Sequence, residues 1–234
     1  IMIRNILFSL FFFTGIIFIS IIFIPTLLLH KKFVLLGGKL MGHWSSFCLR
    51  FILSTKIIIK GSENIIKNKK FFIASSHQSM FETFFLQTIF DSPIFILKKE
   101  LLNIPIFGWY LKKIGSISIK RNKVAKENID FFKNILILVN KSNQPLIIFP
   151  QATRVAPEER PLFKKGVGKI YDELKIHCQP IAVNSGYVWP KNGKKKINGK
   201  IIVSILKPIN PGLTKETFVK TLEEKIYSEL DFIN

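Results

Sequence analysis

Acidic residues are scarce in this chain beside basic ones. It carries 15 Asp and Glu against 35 Lys and Arg, a formal net charge of +20. An anionic partner follows from that balance: nucleic acid, anionic lipid or an acidic carrier protein. Cysteine is nearly absent. Cys48 and Cys178 stand far apart without metal-ligand spacing, which excludes a disulfide scaffold or zinc site and leaves two free thiols in a reducing compartment. A glycine-rich nucleotide loop is missing as well. Lys165-Gly166-Val167-Gly168 follows no strand-like run and opens no P-loop pattern. There is no internal repeat and no low-complexity linker. What the chain has in excess is apolar: 23 Phe and a positive mean hydropathy. A nucleic-acid binder rarely needs that much apolar surface, whereas a membrane enzyme does.

The first apolar stretch carries no charge from Asn5 to Leu29. Residues 6–24 are nearly all Ile, Leu and Phe, long enough to cross a bilayer core of about 30 Å. Only Arg4 stands before the run and no small-x-small cleavage site follows it, so a retained anchor is expected rather than a signal peptide. Pro25 ends or kinks this helix, and His30-Lys31-Lys32 fall at the headgroups. In residues 33–53, Phe33, Leu36, Leu40, Trp44, Phe47 and Phe51 recur at helical spacing, while Lys39, His43, Ser46 and Arg50 line another face. That pattern predicts an amphipathic helix lying in the membrane interface or packing back on the anchor. The pair reads as a two-helix membrane anchor over residues 1–54, followed by one domain over 55–234. One spanning helix followed by an ordinary domain helix is the alternative.

Beyond residue 54 the character changes to alternating strands and helices. Strands are expected over 56–60, 71–74, 93–97, 114–119, 144–148, 179–184 and 201–206, and helices over 78–90, 124–140, 166–175 and 214–232, with an aromatic turn at 105–110. This alternation predicts an α/β fold with a sheet flanked by helices. The polar clusters fall just after strands: His77, Lys98 with Lys99, Arg121, and Thr153 with Arg154. Sites in α/β sheets gather outside the carboxyl ends of strands. The basic run 190–196 reads as a solvated hairpin, with carrier docking as its other reading.

Ser75-Ser76-His77-Gln78-Ser79-Met80-Phe81-Glu82 is the stretch on which a function turns. A histidine at a strand exit serves as a general base when a carboxylate fixes its tautomer. On one helix His77 and Glu82 would lie roughly 140° apart. They meet only if His77 precedes the helix. A plainer reading is a capping box, Ser79-x-x-Glu82, with no catalysis. Phe149-Pro150-Gln151-Ala152-Thr153-Arg154 leaves another strand with an amide, a hydroxyl and a guanidinium. Together with Arg121 and the lysines, this set suits a phosphate.

In these blocks the chain resembles the 1-acylglycerol-3-phosphate O-acyltransferase (lysophosphatidic acid acyltransferase) family. The family's His, four residues, acid is here His77 to Glu82. Its Gly leading to a strand that ends in Arg is Gly115 to Arg121, and its Phe-Pro-Glu-Gly-Thr-Arg is residues 149–154. Its apolar run around a Pro is residues 180–186, and Lys98-Lys99-Glu100-Leu101 before Ile104-Pro105 also fits. The resemblance covers about residue 56 to the C-terminus. It implies a glycerolphosphate acyltransferase-like mixed sheet and transfer of an acyl group from acyl-CoA or acyl carrier protein to the 2-hydroxyl of lysophosphatidate, giving phosphatidate. His77 is then the general base and Glu82 its orienting acid. Arg121, Thr153, Arg154, Lys98, Lys99 and Gln151 are the substrate-binding set around the acceptor phosphate. No metal or bound cofactor is implied. The implied partners are membrane phospholipid and acyl carrier protein, with no nucleic acid, and the implied place is a bacterial inner membrane with the catalytic domain on its cytoplasmic side. Phe84, Phe85, Phe107 and Trp109 are candidates to line an acyl tunnel. The departures are Glu82 where Asp is commoner, Gln151 for Glu, Ala152 for Gly and Lys120 where Asp is frequent. Two other functions stay open: acylation of another lyso-lipid, such as a lyso-ornithine lipid, and a non-catalytic basic adaptor for anionic lipid or RNA.

Overall fold

Short runs rich in Ile, Val and Phe form the centre of the molecule. A computed structural model describes residues 2–119, 125–141 and 144–234. The strands are β1 (Lys56–Lys60), β2 (Phe71–Ser75), β3 (Ile94–Lys98), β4 (Ile117–Ile119), β5 (Leu146–Ile148), β6 (His177–Val183) and β7 (Lys200–Ile205). They pair in the order β1-β7-β6-β2-β5-β3-β4. β7 runs antiparallel to β6 and the other neighbours are parallel, so the sheet is mixed. The parallel block of β2 to β6 turns all its carboxyl ends to one edge. β5 and most of β2 are buried on both faces and read as continuous apolar runs, as covered parallel strands do.

The helices are α1 (Met2–Ile22), α2 (Lys31–Ile52), α3 (Phe81–Ile89), α4 (Phe107–Lys113), α5 (Ala125–Lys141), α6 (Lys165–Leu174) and α7 (Lys215–Ile233). Successive strand residues point to opposite faces, and the two faces meet different helices. Phe72, Ala74, Leu146 and Ile148 pack with Val167 of α6 and Phe218 and Leu222 of α7. Ile73 and Ile147 pack with Phe81 and Leu86 of α3, Leu49 of α2, and Phe8 and Phe12 of α1.

Among the described residues α1 is the one helix long and apolar enough to cross a membrane. It is also docked. Phe8 and Phe12 are fully buried, with ring centroids 5.0 and 4.8 Å from that of Trp189. Asn5 exchanges hydrogen bonds with the backbone of Lys195, and Arg4 Nε donates to the Ile52 carbonyl. α2 is apolar on two sides. Its packed face holds Val34, Leu35, Met41, Cys48 and Leu49 with Gly37, Gly42 and Ser45, while Leu36, Leu40, Phe47 and Phe51 are exposed. A Cβ on Gly42 would come within 2.5 Å of the Phe84 carbonyl oxygen, so only glycine lets α2 lie this close to α3.

Residues 105–110 hold more than the expected turn. Ile106 takes φ 62° and ψ −58°, and the Phe107 N–H donates to the Pro105 carbonyl at 2.6 Å. This is the rare γ-turn with positive φ, strained for a β-branched residue by about 1–3 kcal/mol. α4 starts directly after it. Proline and glycine mark the stretch as a turn in the sequence, but Tyr110 and Leu111 gain burial against Val34 and Leu35 when it coils.

Candidate active site

β2 ends at Ser75 and α3 begins at Phe81, so His77 lies before the helix and Glu82 in its first turn. The connecting loop is fixed to β6. The Ser76 N–H donates to the Ile181 carbonyl at 3.0 Å, and Ser76 Oγ donates to the Val183 carbonyl and accepts the Val183 N–H at 2.8 Å. His77 is held at both backbone groups: its N–H donates to Gln151 Oε1 at 2.7 Å, and its carbonyl accepts the Val155 N–H at 2.9 Å. The turn thus carries His77 back toward Glu82. His77 Nδ1 is buried 3.5 Å from Glu82 Oε2, and the imidazole stacks on Phe149 with centroids 4.0 Å apart.

Glu82 is completely buried and heavily bonded. It accepts the N–H of Gln78 at 3.2 Å, the N–H of Ser79 at 3.1 and 3.3 Å to its two oxygens, and the hydroxyl of Ser185. The Phe81 N–H in turn donates to Ser79 Oγ at 3.2 Å. Capping and facing the histidine are therefore one arrangement. Donors on all sides satisfy a buried carboxylate whose desolvation would otherwise cost several kcal/mol.

His77 lines a cavity of about 2200 Å³, far above the roughly 300–1,000 Å³ of an ordinary ligand pocket. With Nδ1 buried against Glu82, Nε2 is the nitrogen left to this space. One part of the lining is apolar and includes Leu35, Phe84, Phe95, Phe107, Tyr110 and Leu111. Phe85 lies in the core and Trp109 is exposed, and neither lines the cavity. Gln151, Thr153, Arg154 and Lys98 also line it, whereas Lys99 is exposed and outside it. Arg121 lies outside the described residues. Ala152 has φ +61°, the conformation that favours glycine. Among the described residues no group of three or more His, Cys, Asp or Glu side chains gathers as a metal site. Burial raises the thiol pKa of Cys178 well above its ordinary value, so this sulfur stays protonated.

Two contributors lie outside the candidate residues read from the sequence: Ser185, and Phe149 as the stacking ring. Ser185 follows β6 as His77 follows β2, and the parallel pairing of these strands was the one available signal.

A histidine backed by a buried acid and opening on a cavity of about 2200 Å³ is an arrangement suited to general-base chemistry. Comparison with known proteins supplies the family. The Acyltransferase family model matches residues 56–184, more than half of the chain, and the chain belongs to that family. It is 32% identical over 173 residues to the 1-acyl-sn-glycerol-3-phosphate acyltransferase of Pseudomonas aeruginosa, covering 70% of this chain and 64% of that one. It is 31% identical over 207 residues to the enzyme of the same description from Saccharomyces cerevisiae, covering 84% of this chain and 67% of that one. The match thus spans about two thirds of these relatives. The crystal structure of the 1-acyl-sn-glycerophosphate (LPA) acyltransferase PlsC from Thermotoga maritima superposes with a TM-score of 0.81 over 99% of this chain and 98% of that one, at 22% identity, and has the same fold.

Proposed function

We propose that the chain is a membrane-associated 1-acylglycerol-3-phosphate O-acyltransferase, moving a fatty acyl group from a thioester to the 2-hydroxyl of lysophosphatidate. The observation that carries this reading is His77, its Nδ1 turned to buried Glu82 and its ring open to the long cavity. The described relatives support the choice of acceptor. Nε2 takes the hydroxyl proton as the acceptor oxygen attacks the thioester carbonyl carbon. Glu82 holds the other proton on Nδ1 and stabilises the imidazolium. The C–S bond then breaks, and the leaving thiolate takes the proton back from the ring. The products are phosphatidate and a free thiol, with no acyl-enzyme.

Thr153, Arg154 and Lys98 lie on the cavity wall where they meet the acceptor phosphate, joined by Arg121 and Lys99 on the strength of the sequence blocks. The acyl chain occupies the stretch by Phe84, Phe107 and Leu111. The donor is acyl-CoA or acyl carrier protein, and no bound cofactor takes part. Both N-terminal helices form the membrane anchor: the exposed Phe11, Phe13, Ile17 and Phe18 of α1 continue into Leu36, Leu40, Phe47 and Phe51 of α2. So large an apolar surface on a docked helix pair fits a layer of lipid. The buried free thiols suit a catalytic domain on the cytoplasmic side of a bacterial inner membrane.

The test is purified full-length protein with one thioester donor and a panel of lyso-acceptors. Turnover with lysophosphatidate at least about tenfold above that with lyso-ornithine lipid, one decade per 1.36 kcal/mol, is expected. Equal rates on both, or preference for the phosphate-free acceptor, would replace this acceptor assignment.

A further inference from the structure

Gln151 sits where the resembled family carries Glu, and it forms part of the cavity wall. It is only 3% exposed. Its Oε1 is bound by the His77 N–H at 2.7 Å. On the C-terminal helix, Tyr227 Oη gives its proton to the Pro161 carbonyl, and its ring packs against Phe163 with centroids 5.0 Å apart. The same helix ties down the neighbouring loop: Glu223 accepts the Phe163 N–H at 2.7 Å, and Asp231 pairs with Arg160 at 2.6 Å.

We propose that Gln151 is a positioning residue that fixes the backbone of the catalytic histidine. Without the bond to Gln151, the His77 N–H is a buried unpaired donor at the point where the chain must turn the ring toward Glu82. Relaxation there moves Nε2 relative to the acceptor hydroxyl, and small misplacements cost rate rather than binding. Gln151 then contributes to kcat through His77 and not to the hold on the acceptor phosphate. The inference rests on the acyltransferase reading of the site.

The experiment measures kcat, both KM values and the melting temperature for Gln151→Ala and Gln151→Glu, with His77→Ala as control. In Gln151→Ala, kcat is expected to fall about tenfold or more, the size of one lost buried hydrogen bond, with both KM values within about twofold. Gln151→Glu keeps an acceptor for the His77 N–H and should lose less. A raised acceptor KM with unchanged kcat would make Gln151 a phosphate ligand and overturn the proposal. A lower melting temperature with unchanged kcat would make it merely structural. Turnover surviving in His77→Ala would instead sink the site reading itself, whatever the Gln151 variants do.

Discussion

Replacing Glu82 by Gln separates capping from catalysis because the change keeps shape and removes charge. The carboxylate now accepts from Gln78, Ser79 and Ser185 and faces His77 Nδ1 at 3.5 Å. An amide has one acceptor oxygen, so in either orientation its NH2 meets one of these donors head-on. One unpaired buried donor costs about 1–3 kcal/mol of stability. That is a fall of about 2–10 °C in melting temperature for a chain of this size. The catalytic loss is larger. Two unit charges 3.5 Å apart at an effective dielectric of about 20 attract by roughly 5 kcal/mol. If most of that develops as the imidazolium forms, the amide lowers kcat by about two to three decades. Ser79→Ala supplies the comparison. It removes the acceptor of the Phe81 N–H and leaves the charge, so it should cost about 0.5–2 kcal/mol of stability and little turnover. The assay is initial-rate thiol release at saturating lysophosphatidate, with thermal melts on the same preparations. Glu82→Gln turning over within about threefold of wild type, with only a lower melting temperature, would refute the catalytic reading and leave Glu82 as a cap.

Three further expectations are narrower. Arg154→Ala should lower acceptor kcat/KM by about tenfold to a hundredfold, from a lost charge-assisted contact of about 1.5–3 kcal/mol, and spare the donor KM; steady-state kinetics with each substrate varied checks this. Phe47→Ser with Phe51→Ser should weaken liposome binding by about tenfold or more, since each buried Phe contributes about 1.5–3 kcal/mol; sedimentation with lipid measures it, and unchanged binding would remove α2 from the anchor. Ala152→Gly should raise the melting temperature, because φ +61° costs a residue with Cβ about 1–2 kcal/mol; a thermal melt decides it.

Much of this architecture was legible in the sequence, for reasons that mark where legibility stops. Strand runs such as Phe71 to Ala74 announce themselves because a strand covered on both faces must be apolar throughout. The turn that separates His77 from α3 follows from the geometry of two side chains five residues apart. α4 was hidden because Pro105 and Gly108 are turn signals, and burial of Tyr110 and Leu111 outweighs them. The faces of α2 were hidden because periodicity finds a stripe without saying whether protein or lipid meets it. Here Val34, Leu35, Leu49 and the small residues face protein, and Phe47 and Phe51 face outward. Ser185 is out of reach because it acts on Glu82, 103 positions away, through a pairing that only the folded sheet brings together.

The central claim is that His77 moves the proton in acyl transfer to lysophosphatidate. Phosphatidate formed from an acyl thioester by purified full-length protein, quantified by mass spectrometry for wild type and His77→Ala at matched folding, tests it most directly. Stoichiometric phosphatidate and free thiol from the wild type, and a loss of at least about a hundredfold in His77→Ala, are predicted. Phosphatidate formed at a comparable rate by a folded His77→Ala protein would contradict the account.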